Sequence, residues 1–372
     1  SPATWQLPLK LRVTAGGKTS TSRMLLREKN ATIPLPLDWE SVLINEGGHG
    51  FYRVCYSPEL LDRILNAGID RLAVTERFNL INDAWAATLA GHISLSDYLD
   101  LTVNFIAERD KNVWGVLLDS FSFLNRIIVT EDRSALEGFV RSRVGSAVAD
   151  LDWVPRPGES ELTKQLRGEL IGALGRLGND PVTQARAVEL YRAYRHNATA
   201  VDPNIVPSLV AIVSYTGDAS RYDEFNERLR TAATPQEERR YLFSLAGFQH
   251  TSLLDRTLAR TISGEIRTQD APFIIGAVLS NVYGRELAWT FVKSNWEKMD
   301  RLFPKQGLRR ICGGISSLAT PELERDVRDF FATNKIDLGG KTLEQYLEQL
   351  RIAVTVRERD SLSLRRYLDR YR

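Results

Sequence analysis

The sequence predicts a mainly α fold in which a short antiparallel β portion, residues 1–56, precedes an all-helical region, residues 57–372. Two observations carry this prediction. Before residue 57 apolar and polar residues alternate, which is the period of a half-buried strand. After residue 57 the apolar spacing is helical, and short loops separate the helices. Because 372 residues exceed one ordinary core, we expect at least two structural units.

The first strand is predicted at residues 5–13, where one face collects Trp5, Leu7, Leu9, Leu11 and Val13. Turns rich in Gly and Pro then separate four further predicted strands, at about 23–28, 31–35, 41–45 and 51–56. A β-sandwich usually needs about seven strands. These segments therefore predict only part of a sandwich.

Helix starts are marked by capping residues followed by Pro, at Ser57-Pro58, Thr234-Pro235 and Thr320-Pro321. Patterns of this kind predict about fourteen to sixteen helices. Short loops imply antiparallel neighbours, and an array this long favours an irregular solenoid, HEAT-like only in architecture because no strict repeat is visible. Residues 154–161 are the best candidate for an exposed linker.

Composition excludes several classes of protein. No run of 18 apolar residues exists, so no membrane span and no membrane partner are expected. The net charge of +2 gives no general attraction for nucleic acid. Cys55 and Cys312 lie in apolar surroundings and are predicted to be buried free thiols. Residues 1–4 lack the basic and apolar regions of a signal peptide, and a cytoplasmic location is expected.

No complete catalytic motif is present. The only histidines, at positions 49, 92, 196 and 250, show no metal spacing, so we expect no catalytic residue, metal or cofactor in this chain. A phosphate-binding loop, a dinucleotide fingerprint and a nucleophile elbow are also missing. A triad assembled through space stays open, since sequence cannot reveal it.

Several weak motifs follow one another in a recognisable order. Trp5 to Leu9 reads W-x-x-P-L, and Asn45 to Tyr56 reads N-x-x-x-x-G-F-Y-R-V-x-Y. Arg77 to Gly91 and Gly284 to Trp296 follow, and the final stretch runs from Thr342 to Arg372. Over the whole chain, these segments resemble the C-terminal portion of the gluzincin aminopeptidases, the aminopeptidase N and puromycin-sensitive aminopeptidase family.

The resemblance implies a non-catalytic partner of a zinc domain. In the family, the zinc motif H-E-x-x-H and the G-x-M-E-N motif lie on an upstream catalytic domain, and neither is in this chain. The helical domain forms a superhelical bowl that encloses the peptide and gates access to the active site. The chain is therefore expected to be the end of the sandwich domain plus the helical domain, with a peptide substrate and the upstream domain as partners and zinc only in the parent enzyme. Because the family's sandwich domain begins before the position of Ser1, the resemblance also implies that the first strand exposes an unpaired edge on which a second copy could pair.

Site residues follow from the resemblance alone. Arg126 lies near the position where some relatives hold the peptide's C-terminal carboxylate, while a second basic position of those relatives falls near Gly247. Ser316 and Ser317 belong to a segment that approaches the pocket for the substrate's first side chain in relatives. Arg285 could also face the chamber, although a structural ion pair is the simpler interpretation.

Two other functions stay open at this point. The first is a standalone α-solenoid interaction module without peptidase activity, which would bind a protein partner along its concave face. The second is an autonomous enzyme of an unrecognised type.

Overall fold

The computed structural model describes residues 5–334 and 341–372. Residues 1–4, the beginning of the predicted β portion, lie outside the described residues. The chain divides into two compact units, Ser1–Ser120 and Phe121–Arg372. The predicted boundary between residues 56 and 57 marks the change from strands to helices, and as a domain boundary it stays a prediction.

Three antiparallel strands form the sheet of the first unit, in the order β2-β1-β3. They are β1 (Leu7–Ala15), β2 (Lys18–Leu26) and β3 (Trp39–Ile44). Gly16 and Gly17 join β1 to β2, and both have positive φ angles, 52° and 70°. A tight turn of this kind matches the right-handed twist of the strands, and glycine adopts its positive φ angles without strain. β1 is the central strand, with β2 along its whole length and β3 opposite Leu11 to Ala15, so the edge strands are β2 and β3. The unpaired edge expected on the first strand is therefore confined to residues 7–10, which have no second partner strand among the described residues.

Burial along β1 follows the predicted alternation only in its second half. Leu11 and Val13 are buried and pack with Val42 of β3, whereas Trp5 is 80% exposed. The paired part of β1 explains this, since β3 lies opposite only Leu11 to Ala15. The apolar face is therefore covered where three strands lie side by side.

Two predicted strands, 31–35 and 51–56, are wrong. Residues 31–35 form no strand, because Pro34 and Pro36 lack the N–H groups that a ladder requires. Residues 51–56 are also irregular, and side chains bind their backbone instead: the Val54 N–H donates to Asp83 at 3.0 Å. The Tyr56 hydroxyl in turn accepts from the Ile44 N–H at 2.9 Å.

The rest of the described chain is mainly helical, as predicted, with sixteen α-helices. The first four are α1 (Pro58–Asn66), α2 (Val74–Leu89), α3 (Leu95–Leu101) and α4 (Lys111–Ile127). The next six are α5 (Arg133–Leu151), α6 (Glu161–Arg176), α7 (Pro181–His196), α8 (Val206–Tyr215), α9 (Ala219–Arg230) and α10 (Pro235–Ser244). The last six are α11 (Thr251–Ser263), α12 (Ala271–Ser280), α13 (Arg285–Leu302), α14 (Lys305–Gly313), α15 (Pro321–Thr333) and α16 (Thr342–Leu368).

The predicted caps begin the helices where the sequence places them. The hydroxyls of Ser57, Thr234 and Thr320 each accept a hydrogen bond from the N–H three residues on, at 3.4, 3.2 and 3.3 Å. Each satisfies a backbone donor that the first turn of a helix leaves without a partner. The predicted linker 154–161 is irregular up to residue 160, and α6 begins at Glu161.

Within the second unit most helices pack against the next helix in the chain or the one after it, and α16 then returns to α5. The short turn that follows α16, Asp369–Tyr371, lies against the middle of α5. Gly138 makes this contact possible, because a Cβ atom there would lie 2.1 Å from the carbonyl oxygen of Tyr371. The Phe139 and Tyr371 rings meet edge to face, with centroids 5.4 Å apart.

The two cysteines have different surroundings. Cys312 is buried in α14, as predicted, and burial raises the pKa of its thiol to about 12. Cys55 is exposed, so the prediction of a buried thiol is wrong there. The reason is that residues 51–56 form no strand and Cys55 therefore has no sheet face to pack on.

Candidate functional site

A cavity of about 400 Å³ lies within the second unit and holds the predicted site residue Arg126. The last turn of α4, the first turns of α5 and the ends of α6, α8, α10 and α12 meet around it. Its lining is Ser122, Asn125, Arg126, Arg133, Glu137, Arg176, Leu177, Tyr215, Phe243, Ala246, Gly247, Ala277, Ser280, Asn281, Val282 and Tyr283.

The charged lining of the cavity is predominantly cationic, with three arginines and one glutamate. Arg126 is half-buried, and its guanidinium lies 5.5 Å from the centre of the Phe123 ring. Glu137 accepts a hydrogen bond from the Asn179 amide at 3.2 Å. An excess of arginine in a partly enclosed space favours a ligand that carries negative charge.

Arg133 is the first residue of α5, and the sequence alone did not identify it as a site residue. Its guanidinium donates to the side-chain oxygen of Asn125 and lies 5.7 Å from the centre of the Tyr283 ring. Among the described residues no carboxylate forms an ion pair with it. Its surroundings come from three separate stretches of chain, which explains why no local signal marks it.

Two phenols complete one side of the cavity. The hydroxyl oxygens of Tyr215 and Tyr283 are 3.3 Å apart. Burial raises the pKa of Tyr215, and the hydrogen bond with Tyr283 raises it further. Tyr215 is therefore a neutral hydrogen-bond donor at physiological pH.

The predicted serines lie away from the cavity lining. Ser317 is buried, and the Ser316 hydroxyl donates to the Gly313 carbonyl at 3.3 Å. Gly247, at the second basic position of some relatives, does line the cavity, but it brings no side chain to it. A Cβ atom there would lie 2.9 Å from the Ser214 hydroxyl.

Arg285 binds the backbones of two predicted site residues, Arg126 and Ser317. It is only 8% exposed, and one guanidinium nitrogen donates to the carbonyls of Arg126 at 2.6 Å and Ser317 at 2.8 Å. Burial lowers the pKa of Arg285, and the nearby charge of Arg357 lowers it further. Within the described residues, its partners are thus carbonyls instead of the carboxylate that an ion pair would need.

The motif residues of the first unit form a buried ionic cluster. The Arg77 guanidinium donates two hydrogen bonds to the Glu108 carboxylate, of 2.6 and 3.1 Å. The same carboxylate accepts the N–H groups of Arg109 and Asp110, while the Trp114 indole donates to the Glu108 carbonyl. Burial alone would raise the pKa of Glu108, but the bonds from Arg77 and the two backbone N–H groups hold it below its usual range. These contacts join α2 and α4 to the segment around Glu108.

The described residues do not fit a zinc site. In ranges 5–334 and 341–372 no group of three or more His, Cys, Asp or Glu side chains is arranged to hold a metal ion. The same ranges include no helix with the length and apolar character needed to cross a bilayer.

Comparison with known proteins gives one consistent result. Residues 41–352 match the family model described as ERAP1-like C-terminal domain. Aminopeptidase M1 of Arabidopsis thaliana is 30% identical over 322 residues, which are 84% of this chain and 36% of the plant protein. Aminopeptidase 2 of Candida albicans is 25% identical over 355 residues, 93% of this chain and 38% of the yeast protein. The puromycin-sensitive aminopeptidase of Caenorhabditis elegans is 24% identical over 77% of this chain and 31% of its own length. The chain thus spans about a third of the length of each of these relatives.

Proposed function

Because this chain belongs to the ERAP1-like C-terminal domain family and corresponds to the C-terminal region of an M1 aminopeptidase, we propose that it encloses the peptide substrate of such an enzyme. The zinc and the chemistry belong, in this proposal, to an upstream catalytic domain. The helical region gates access to that domain by moving between open and closed forms. Two facts support this division of roles: the relatives are named aminopeptidases, and this chain matches only 36% and 38% of their lengths.

The observation that carries the proposal is the cationic cavity around Arg126. A free peptide ends in a carboxylate, which the planar guanidinium of arginine can bind through two parallel hydrogen bonds. We propose that the cavity holds the C-terminal end of the peptide and that Arg126 is one of the cations that receive it. The apolar parts of the lining, such as Phe243 and Leu177, would accept neighbouring side chains.

The finer architecture is part of the same proposal. Packing between each helix and its near neighbours in the chain is what an irregular HEAT-like solenoid requires. A superhelical bowl built in this way would offer the peptide a concave wall. We place Ser316 and Ser317 on the side of that wall nearest the substrate's first side chain. A standalone interaction module is not favoured, since the family match covers residues 41–352.

Peptide binding to the 372-residue chain tests the proposal. A fluorescent peptide of about ten residues is titrated in two forms, with a free C-terminus and with an amide, and anisotropy gives both affinities. The free acid is expected to bind about tenfold or more tightly, as one charge-assisted pair is worth about 1.5–3 kcal/mol. Arg126→Gln should reduce this preference, and Arg186→Gln, on the exposed surface of α7, should leave it unchanged. Equal affinity of the two peptides for the unmodified chain would overturn the proposal.

A further inference from the structure

We infer that Arg133, oriented by Asn125 and Tyr283, is the residue that determines the cavity's preference for a free peptide carboxylate. This inference rests on the proposed function and names the specificity-determining residue within it. Arg126 then acts as the second, weaker cation. Three features of the cavity support this order.

The first feature is that Arg133 is already oriented. The side-chain oxygen of Asn125 accepts a hydrogen bond from the guanidinium, whose central carbon lies 5.7 Å from the centre of the Tyr283 ring, within cation–π range. Arginine usually loses considerable side-chain entropy when it is immobilised. A guanidinium held by an amide and a ring has already lost part of that freedom, so binding a ligand costs less.

The second feature is that the nearby carboxylates have other partners. Asp132, next to Arg133 in the chain, accepts hydrogen bonds from Arg365 at 2.7 Å and Arg372 at 2.6 Å. Glu137, one turn along α5, accepts from the Asn179 amide. Within the described part of the chain, Arg133 keeps its charge without a carboxylate partner. An arginine has five N–H donors, and a carboxylate from a ligand can accept two of them side by side.

The third feature is a neutral donor close to Arg133. The charge of Arg133 acts on the Tyr215 hydroxyl, which lies 3.3 Å from the Tyr283 hydroxyl on the same wall. A carboxylate at Arg133 therefore has a phenol within the same cavity that can donate to one of its oxygens. Arg176, the third arginine of the lining, donates to the Gly172 carbonyl of its own helix at 3.3 Å, whereas Arg133 is oriented by an amide and a ring from other helices and loops.

The test compares the free-acid preference of four variants and one control variant, each measured with the same labelled peptide and its amide. Arg133→Gln should reduce the affinity ratio of acid to amide to about one, whereas Arg126→Gln should keep a ratio of several-fold. Arg133→Lys should keep the charge but lose the paired hydrogen bonds, and thus give an intermediate ratio. Asn125→Ala should lower the ratio without removing any charge, which a purely electrostatic role for Arg133 would not predict. Arg186→Gln is the control.

The outcomes separate the inference from the proposal beneath it. If the unmodified chain shows no preference for the free acid, the proposed function fails. If the preference exists but survives Arg133→Gln and disappears in Arg126→Gln, the inference is wrong while the proposed function stands. Each variant is first compared with the unmodified chain by circular dichroism. If Arg133→Gln does not fold, Arg133→Lys and Asn125→Ala decide, and an unchanged ratio in both overturns the inference.

Phosphate and acetate distinguish a peptide end from any small anion. Acetate is expected to compete weakly with the free-acid peptide, because it presents the same carboxylate without the rest of the chain. Competition by phosphate at similar or lower concentration than the peptide would show a site for inorganic anions, which contradicts the inference.

Discussion

Two arginines from each compact unit show opposite kinds of partner. In the first unit, Arg77 binds Glu108 and Arg12 binds Glu76, each through two hydrogen bonds to the carboxylate. In the second unit, Arg133 has an amide oxygen and an aromatic ring, and Arg285 has two backbone carbonyls. The first set of charges is balanced inside the unit, whereas the second set lacks a carboxylate within the described residues.

The difference separates charges that stabilise the fold from charges that are available to a ligand. A buried ion pair is strongly coupled to folding, since removing either partner leaves an uncompensated charge. Arg133 has no carboxylate partner among the described residues and retains its capacity for an anion, whereas Arg285 is buried and its bonds to two backbone carbonyls serve the fold. Positions where a sequence leaves a charge unbalanced are therefore the ones to examine for binding.

The largest effect is expected for the balanced set. Glu108→Ala should lower the free energy of unfolding by about 3–5 kcal/mol, because it leaves the Arg77 guanidinium partly buried without its carboxylate. Urea unfolding followed by tryptophan fluorescence measures this, with Trp114 as a nearby probe. The control is Glu189→Ala, which removes an exposed partner of Arg186 and should change stability by less than about 0.5 kcal/mol. A similar loss in both variants would contradict the comparison.

Lowering the pH should destabilise the fold through the same two ion pairs, those of Glu108 and Glu76, with a smaller effect. The bonds described above hold the pKa of Glu108 below its usual value, and hydrogen bonds from Gly47, Ala73 and Arg12 do the same for Glu76 against the opposing effect of burial. A carboxyl with a lower pKa in the folded state stabilises the fold above its unfolded pKa, and this contribution is lost as pH falls through the folded value.

Thermal unfolding should therefore show a falling Tm as pH decreases below about 4.5, the ordinary glutamate pKa. Glu108→Gln should have a lower Tm at neutral pH and a shallower decrease in acid, since one of the titrating groups is gone. A slope equal to that of the unmodified chain would show that Glu108 does not carry the acid sensitivity.

The smallest effect is expected for the unbalanced set. Arg133→Gln should change the free energy of unfolding by no more than about 0.5 kcal/mol, as a typical surface substitution does. The same variant is expected to lose its preference for a free peptide carboxylate. Urea unfolding provides the stability value, and a loss above about 1.5 kcal/mol would assign Arg133 to the structural set instead.

The parts of the fold that could be predicted from sequence are those set by local chemistry. Ser57, Thr234 and Thr320 cap the helices they precede, because a hydroxyl reaches an N–H only three residues away. Residues 51–56 show the limit of such reasoning. Their composition favours a strand. Instead, the Val54 N–H donates to Asp83, and the Tyr56 hydroxyl accepts from the Ile44 N–H of β3. Sequence spacing does not encode either contact.

The candidate site divides in the same way. Arg126 was identified through the order of family motifs, and it does line the cavity, while its role stays a prediction. Arg133 was missed because its significance depends on contacts with Asn125 and Tyr283, and on the engagement of Asp132 by Arg365 and Arg372, which are distant in the chain. Neither residue type nor spacing indicates that a charge will be left without a carboxylate.

The return of α16 to α5 has a consequence for the order in which the second unit folds. Most other helices of this unit pack on near neighbours, and such contacts can form early and locally. Asp132, however, meets Arg365 and Arg372 across 233 and 240 residues. Closing a flexible loop of that length costs about 5 kcal/mol of chain entropy, which falls when the intervening helices are already stacked. During synthesis, α5 must therefore wait for nearly the whole unit to leave the ribosome before its last partner arrives.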